Sequence, residues 1–262
     1  MKITIITTAF NSVHTLRDTM ESVLRQGYTD YEYIVVDGSS KDGTVDLIRE
    51  YEPRFEGRMR WISEPDRGIY DAMNKGVAMA TGDVVGLLNS DDFYASDDIL
   101  ETIAREFTTL DVPDAIYGDV HYVDAVDTTK IVRYYSSRKF TRKRMRMGYM
   151  PAHPSFYVRR ECYERYGTFD TSYRVAADFE NLLRLVYINN IRIRYVAKDF
   201  VAMRIGGAST SGLNSHLHII ADHFAAFKKN GLRPFYFFYF LRYVNKLFEY
   251  TTRSKKKARA DV

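Results

Sequence analysis

The chain has 262 residues, of which 45% are hydrophobic and 27% are charged, so it can bury the core of one large α/β domain. Its formal net charge of +4 is modest, and its single cysteine excludes an internal disulfide and favours a reducing compartment. Because the N-terminal residues are too polar for a secretory signal and no stretch of about 18 apolar residues predicts a membrane span, we expect a cytoplasmic protein.

Strand and helix patterns alternate through roughly the first hundred residues. The predicted strands are 2–7, 33–36, 59–62 and 84–88, and the predicted helices are 12–26 with Ser12 as its cap, 44–51, 70–80 and 99–107. Strands joined by single helices imply right-handed crossovers. The sequence therefore predicts an α/β fold with a mostly parallel, doubly wound sheet and helices on both faces.

The pattern changes after residue 110. It predicts strands at 115–123, 130–135 and 155–159, a helix at 176–189, a hairpin or edge pair at 193–196 and 200–204, a polar loop at 206–215, and helices at 216–229 and 235–250. We therefore expect one domain at 1–212 with halves 1–110 and 111–212, C-terminal helices at 213–252, and a basic, disordered tail at 253–262.

Polar residues follow each of the first four predicted strands. In a doubly wound sheet, ligands bind beyond the carboxyl ends of the strands, where these residues would meet. The four segments are Ala9-Phe10-Asn11, Asp37-Gly38-Ser39-Ser40, Glu64-Pro65-Asp66 and Asp91-Asp92. The sequence therefore predicts one ligand-binding site at this edge of the sheet.

The fourth predicted strand is followed by two adjacent carboxylates, Asp91 and Asp92. Such like charges repel each other unless a cation or solvent compensates them. A hard divalent cation, Mg²⁺ or Mn²⁺, that bridges these oxygens to a diphosphate would remove the repulsion. The alternative is a solvated turn before the helix that Asp97 and Asp98 open.

A glycine-containing octet, residues 37–44, lies between a predicted strand and a predicted helix. It is neither a P-loop nor the dinucleotide fingerprint, because the first strand–helix turn has no glycine to admit a pyrophosphate. We expect Asp42, or alternatively Thr44, to cap the following helix. Asp37, at the strand end, has the acceptor chemistry to bind an N–H group of a base.

Four segments together resemble the signature motifs of the family 2 inverting glycosyltransferases: residues 7–11, 36–44, 64–76 and 87–92. The resemblance runs in order over roughly residues 3–210. It implies a GT-A fold, a nucleotide-sugar donor that is most often UDP-linked, and a divalent metal ion, Mn²⁺ or Mg²⁺.

The resemblance also assigns donor-binding residues. Asp37 matches the aspartate that reads the base, and Ala9 and Asn11 lie on the loop that lines its pocket. Asp66 matches a second contact to the base or ribose. Lys75 flanks the same segment, and it either meets the diphosphate or lies on a solvated helix face.

By the same resemblance, Asp92 is the direct metal ligand and Asp91 faces the ribose or the metal. Asn89 stands where a further acidic residue often occurs, so that only two carboxylates supply charge here. Diphosphate and water would then complete the coordination, as is usual for Mg²⁺ and Mn²⁺.

A candidate catalytic base lies at the start of the predicted helix 176–189. Asp178 resembles the aspartate of the family's Glu-Asp motif, with Ala177 in place of the glutamate. Glu180 is the rival base, but two residues along a helix turn it about 200° away. The structural alternative for Asp178 is a helix N-cap, and Arg184 is expected to anchor one of the two carboxylates.

Four histidines lie near the expected site. His153 is in a loop that borders the acceptor in similar sequences, although a lone histidine is more often structural. One of His216, His218 and His223 would complete the metal site, or all three lie on an ordinary helix surface. The loop 206–215 before them is a candidate lid over the donor.

The C-terminal region is aromatic and basic. Nine aromatic residues lie between positions 235 and 250, and six basic residues without an acidic one lie between 138 and 146. This composition is typical of a segment at the interface of an anionic membrane, and a core helix or the contact of a homo-oligomer explains it equally well. No nucleic-acid-binding module accompanies the basic residues, so we expect no nucleic-acid partner.

The expected function is transfer of a hexosyl or N-acetylhexosaminyl group from a nucleotide sugar to a hydroxyl of a growing glycan or lipid-diphosphate-linked acceptor, in polysaccharide biosynthesis at the inner face of the plasma membrane. A sugar nucleotidyltransferase is one alternative, but it would need a glycine- and base-rich N-terminal loop. A catalytically silent nucleotide-sugar-binding protein is the other, and Asp91, Asp92 and Asp178 argue against it.

Overall fold

The computed structural model describes residues 1–206, 212–237 and 239–240, and for residues 212–217 the backbone alone. Within this part of the chain one sheet contains β1 Ile3–Ala9, β2 Tyr31–Asp37, β3 Met59–Ser63, β4 Val84–Leu87, β5 Phe93–Tyr94, β6 Ala115–Val123, β7 Ile131–Tyr135, β8 Tyr157–Arg159 and β9 Ile193–Arg204. The α-helices are α1 Leu16–Leu24, α2 Thr44–Tyr51, α3 Ile69–Met79, α4 Ile99–Phe107, α5 Arg160–Tyr166, α6 Ala177–Leu182 and α7 Gly212–Lys229. A π-helical turn, Leu183–Ile188, continues α6, and 3₁₀ helices cover Glu52–Phe55, Arg142–Met147 and His153–Ser155.

The sheet has the order β3-β2-β1-β4-β8-β6-β9-β5, and β7 pairs with β6. Strands β1 to β4 are parallel, β8 is antiparallel to both β4 and β6, and β9 is parallel to β6. The predicted α/β architecture is confirmed. Because β1 to β4 are parallel, the loops after them begin at one edge of the sheet.

Two hydrophobic clusters cover the two faces of the sheet. Helices α1, α2 and α4 pack on one face, and α3, α5, α6 and α7 pack on the other. In α4, for example, Ile99, Leu100, Ile103 and Phe107 recur at helical spacing and are all buried. The single cysteine, Cys162, is buried in the second cluster, where burial raises the pKa of its thiol to about 11.

Several predicted elements differ from the structure. The predicted edge pair at 193–204 is one long strand, β9, because a register irregularity carries the strand past its polar middle. Gly118 of β6 permits this, since a Cβ there would lie 2.7 Å from the carbonyl oxygen of Lys198. Helix α1 begins at Leu16 rather than at Ser12, and α5 and the short strand β5 were not predicted.

The C-terminal part of the described chain packs onto the domain. Helix α7 begins at Gly212, so part of the predicted loop 206–215 is helical, and the rest of that loop lies mainly outside the described residues. Ala226 and Phe227 of α7 belong to the core. Most of the predicted helix 235–250 and the whole predicted tail 253–262 also lie outside the description. No described helix is long and apolar enough to cross a membrane.

Candidate active site

The loops after β1, β2 and β4 are hydrogen-bonded to one another. Asn11 has a φ of 49°, a left-handed conformation that asparagine tolerates, and its side-chain Oδ1 accepts a hydrogen bond of 3.0 Å from Lys41 N. Asn11 N in turn donates to Ser40 Oγ at 2.7 Å. The hydroxyl groups of Ser12 and Ser90 are 2.9 Å apart. The loops after these three strands therefore converge as predicted, and hydrogen bonds join them to one another.

Asp37 and Asp42 both hold the loop after β2. The carboxylate of Asp37 is fully buried and accepts hydrogen bonds from the backbone N–H and hydroxyl of Ser40 and, at 2.6 Å, from the hydroxyl of Ser63. Three of about four acceptor positions are thus occupied within the protein. Asp42 accepts from Thr44 N at 3.0 Å and so holds the turn before α2, but the N-cap residue of that helix is Gly43, so the predicted position of Asp42 as the cap was wrong by one residue.

Asp66 lies directly over the loop after β2. A Cβ at Gly38 would be 2.5 Å from Asp66 Oδ2, so only glycine permits this approach. Asp66 Oδ1 accepts a 2.8 Å hydrogen bond from Gly68 N. Ala9 is buried, and its carbonyl oxygen accepts from Gly38 N at 2.9 Å. The structure thus brings Ala9, Asp37 and Asp66 together, with the side chain of Ala9 in the core.

Lys75 is bound to the loop that carries Asp66. Its Nζ donates to the carbonyl oxygen of Pro65 at 2.8 Å and lies 2.9 Å from Glu64 Oε1. The side chain is mostly buried, so the prediction of a solvated helix face does not describe it. Lys75 therefore ties α3 to the loop that follows β3.

Asp91 and Asp92 lie in the loop that follows β4, where Asp92 is buried and Asp91 is partly exposed. Asp92 is 2% exposed, and burial followed by the charge of Asp91 raises its pKa well above the usual range for aspartate. Burial also raises the pKa of Asp91. The described residues contain no group of three or more His, Cys, Asp or Glu placed to hold a metal, so these two carboxylates stand without a third protein ligand of those types.

These pKa shifts predict a pH dependence. A raised pKa means that the metal-free site retains a proton to higher pH, and a metal ion binds only the deprotonated carboxylates. We therefore expect Mn²⁺ binding in the presence of UDP to strengthen with rising pH, by about tenfold per pH unit where one proton is released. Calorimetry in two buffers of different ionisation heat, with protein-free UDP and Mn²⁺ as the control, measures the protons released; an affinity independent of pH would contradict the prediction.

Asp178 lies at the start of α6, in contact with His153 and Tyr70. Its Oδ2 is 3.6 Å from His153 Nδ1, and its Oδ1 is 3.5 Å from the hydroxyl of Tyr70. Burial lowers the pKa of His153, and the charges of Asp178 and Asp91 both oppose that shift. His153 therefore contacts Asp178 and also lies within the electrostatic influence of Asp91. Asp178 remains partly exposed.

Glu180 points away from this centre. It is 2% exposed, its two carboxylate oxygens each accept a 3.1 Å hydrogen bond from Arg184, and Asn230 Nδ2 donates to it at 3.2 Å. Arg184 also donates to the backbone carbonyls of Tyr166, Gly167 and Thr168. The ion pair between Glu180 and Arg184 is therefore structural. Arg184 was expected to anchor either Asp178 or Glu180, and it anchors Glu180.

The histidines of α7 take other positions. His223 is buried, stacks on Phe179 with ring centroids 3.7 Å apart, and its Nδ1 is 3.0 Å from the hydroxyl of Tyr239. His218 is exposed, and the side chain of His216 lies outside the described residues. His223 therefore belongs to the packing of α6 and α7 and not to a metal site.

Three residues at the site were not singled out from the sequence. Tyr70 contacts Asp178, and Ser63 contacts Asp37. Arg204, at the end of β9, is 9% exposed, and its charge acts on both Asp91 and Asp92. Tyr70 and Ser63 lie in or next to the motif at 64–76, which was the available signal. No local sequence signal indicates Arg204, because it comes close to Asp91 and Asp92 only through the position of β9 in the sheet.

The amino-acid sequence of the chain is similar to those of known glycosyltransferases. The chain is 30% identical over 217 residues to an uncharacterised glycosyltransferase of Mycobacterium tuberculosis, covering 82% of this chain and 77% of that one. It is 29% identical over 180 residues to a PGL/p-HBAD biosynthesis glycosyltransferase of Mycobacterium bovis, covering 69% of this chain and 68% of the relative.

Solved structures share the fold. S. aureus TarS in complex with UDP-GlcNAc superposes with a TM-score of 0.69 at 18% identity, over 87% of this chain and 66% of the TarS chain. A mannosyltransferase from Pyrobaculum calidifontis in complex with GDP-Man and Mn²⁺ gives a TM-score of 0.65 at 19% identity, over 85% of this chain and 63% of that one. The chain thus spans less than two thirds of either solved chain, and the likeness shows the GT-A fold. Residues 4–167 match the model of glycosyl transferase family 2, and the chain belongs to that family of enzymes.

Proposed function

We propose that the protein transfers a sugar, with inversion at the anomeric carbon, from a UDP-sugar to a hydroxyl of a growing glycan or lipid-linked acceptor. The observation that carries the proposal is the acidic centre at the sheet edge. It consists of the buried Asp92, the partly buried Asp91 and the partly exposed Asp178; the charges of Asp178 and Asp91 both act on His153, which lies 3.6 Å from Asp178.

The two halves of the chain contribute different parts of this centre. All donor-side residues lie within residues 1–110, whereas Asp178 and His153 lie within 111–212. This distribution supports a nucleotide-sugar half followed by an acceptor half. The structures of TarS with UDP-GlcNAc and of the Pyrobaculum calidifontis mannosyltransferase with GDP-Man support a nucleotide-sugar donor.

The carboxylate pair fits a divalent metal ion. Asp92 is buried with a strongly raised pKa, so its charged form lacks compensation that a cation would supply. Carboxylate oxygens are the ligands that Mg²⁺ and Mn²⁺ prefer, and two of them leave positions for diphosphate and water. When bound, such an ion would neutralise charge on the departing diphosphate. The mannosyltransferase structure contains Mn²⁺, which supports the assignment.

On the donor side, the loops after β1, β2 and β3 form the proposed nucleotide pocket. Asp37 has one acceptor position left beyond its bonds to Ser40 and Ser63; because its side chain is fully buried, it would accept an N–H group of the base only after the loop that follows β2 moves aside. Asp66 and Asn11 border the same pocket and would contact the base or ribose. The ammonium group of Lys75 supplies positive charge beside the diphosphate side of these loops.

On the acceptor side, Asp178 is the proposed general base. It takes the proton of the acceptor hydroxyl as that oxygen forms a bond to the anomeric carbon, and the bond from this carbon to the diphosphate oxygen breaks with its electron pair on the diphosphate. His153 and Tyr70 surround the carboxylate and restrict its orientation. Attack opposite the leaving group inverts the configuration.

Thermal unfolding with a panel of nucleotide sugars tests this function. We expect a UDP-sugar together with Mn²⁺ to raise the melting temperature by about 5 °C or more at saturation, since ligand at a hundred times its Kd adds ~2.7 kcal/mol to the free energy of unfolding. Either component alone should have a smaller effect, because the diphosphate supplies metal ligands. Two results would contradict the proposal: an equal rise in melting temperature with every nucleotide sugar in the absence of metal, or no rise with any of them.

A further inference from the structure

The basic cluster, residues 138–146, and the aromatic segment, of which residues 235–237 and 239–240 are described, are far apart in the sequence but adjacent in the structure. Phe235 N donates a 2.9 Å hydrogen bond to the carbonyl oxygen of Arg146. Arg146 Nε and an Nη donate to the carbonyl oxygen of Arg233 at 2.9 and 2.6 Å. The guanidinium of Arg146 also lies 4.1 Å from the centroid of the Phe235 ring. The two segments therefore form one continuous surface.

The aromatic segment has an inner and an outer side. Tyr239 is 3% exposed and packs inward against His223, whereas Tyr236, Phe237 and Phe240 are 63%, 71% and 71% exposed. Beside them the basic cluster has three exposed side chains, Arg138, Lys139 and Lys143. The sequence left two alternatives for this segment, a core helix and a membrane-interface segment. Its described residues have features of both, because one side is buried and the other is exposed.

We infer that this joined surface binds an anionic lipid bilayer, next to the acceptor side of the proposed active site. Exposed aromatic side chains rimmed by cations match the two parts of a membrane interface, acyl chains below and anionic headgroups above. A symmetric contact between two copies of the chain would place the same cluster of six basic residues, without an acidic one, on both sides. Anionic lipid complements this charge, and a second copy repels it.

Two connections join this surface to the proposed acceptor site. The 3₁₀ helix Arg142–Met147 is followed after a short loop by the 3₁₀ helix His153–Ser155, which begins with the residue beside Asp178. On the other side, Tyr239 bonds His223, which stacks on Phe179, the neighbour of Asp178. This step rests on the proposed function. With the surface on the bilayer, a lipid-anchored acceptor would present its hydroxyl group near Asp178.

Partition onto vesicles tests the inference with the full chain. We expect the protein to float with phosphatidylcholine vesicles that contain phosphatidylglycerol, to float much less with phosphatidylcholine alone, and to be released by high salt. The double variant Lys143→Glu/Phe240→Ser should reduce partition by about tenfold or more, because each basic residue near an anionic surface contributes about fivefold. Point substitutions are preferable to truncation before residue 235, which would uncover the core at Tyr239.

The matched control is Arg105→Glu/Leu110→Ser. Arg105 lies on α4, on the opposite face of the sheet, and Leu110 follows that helix; both are exposed. This control should partition as the unaltered protein does. Equal partition of the two double variants, no binding of the unaltered protein to anionic vesicles at low salt, or a dimer in solution that Lys143→Glu/Phe240→Ser dissociates would each overturn the inference.

The outcome is separable from that of the proposed function. Vesicle flotation needs no donor, and thermal stabilisation by UDP-sugar and Mn²⁺ needs no lipid. Absence of partition with intact donor binding would remove only the membrane surface. Absence of donor binding with intact partition would remove only the transferase mechanism.

Discussion

Asp92→Asn is expected to abolish sugar transfer, with a loss of at least ~10³-fold, and to remove most Mn²⁺-dependent binding of the donor, since a catalytic metal supplies several kcal/mol. The substitution keeps the size of the side chain and removes its charge. Asp92 is 2% exposed and carries a pKa raised by burial, so the neutral amide suits the metal-free fold and the variant should be at least as stable as the unaltered protein. Asp92→Ala should have the same effect on transfer.

Calorimetric titration with UDP, with and without Mn²⁺, measures this effect. Asp97→Asn is the matched control, because Asp97 is an exposed carboxylate close in sequence that pairs with Arg25 at 3.3 Å. That variant should bind UDP and Mn²⁺ normally. Unchanged UDP affinity in the presence of Mn²⁺ for Asp92→Asn would show that Asp92 is not the metal ligand.

Asp178→Asn is expected to slow the chemical step by about 10²-fold or more while donor binding persists, because the amide keeps the shape but cannot accept the proton of the acceptor hydroxyl. The neighbours of Asp178 make this a local change. Phe179 N, which donates to Asp178 Oδ1 at 2.8 Å, can still donate to the amide oxygen, the Tyr70 hydroxyl keeps its bond to the carbonyl oxygen of Val175, and His153 lies 3.6 Å from Asp178 Oδ2. Single-turnover transfer and UDP titration distinguish the lost chemistry from lost binding.

Glu180→Gln provides the contrast on the same helix. Glu180 is buried against Arg184, so loss of its charge should lower the free energy of unfolding by about 3 kcal/mol while the rate per folded molecule stays close to normal. The melting temperature and the rate corrected for the folded fraction report the two effects separately. If Glu180→Gln were inactive and Asp178→Asn were active, the catalytic base would be Glu180 and not Asp178.

The sequence by itself was sufficient for the α/β architecture and for the convergence of the loops that follow the parallel strands. In a sheet whose strands are joined by single helices, the strand ends share one edge, so a local pattern of strand followed by polar residues predicts which residues meet. Asp37, Asp66, Asp91 and Asp92 were placed together on this basis, and the hydrogen bonds between their loops bear out the convergence. The match to glycosyl transferase family 2 confirms the predicted family.

Only the tertiary structure decided contacts between segments that are distant in sequence. Asp178 and Glu180 lie two positions apart on one helix, and packing alone turns one toward His153 and buries the other against Arg184. The same holds for Arg204 beside Asp92 and for Arg146 beneath Phe235. Helical periodicity fixes the angle between two side chains but not which of them faces a neighbouring element, because that choice depends on how the helix docks on the sheet.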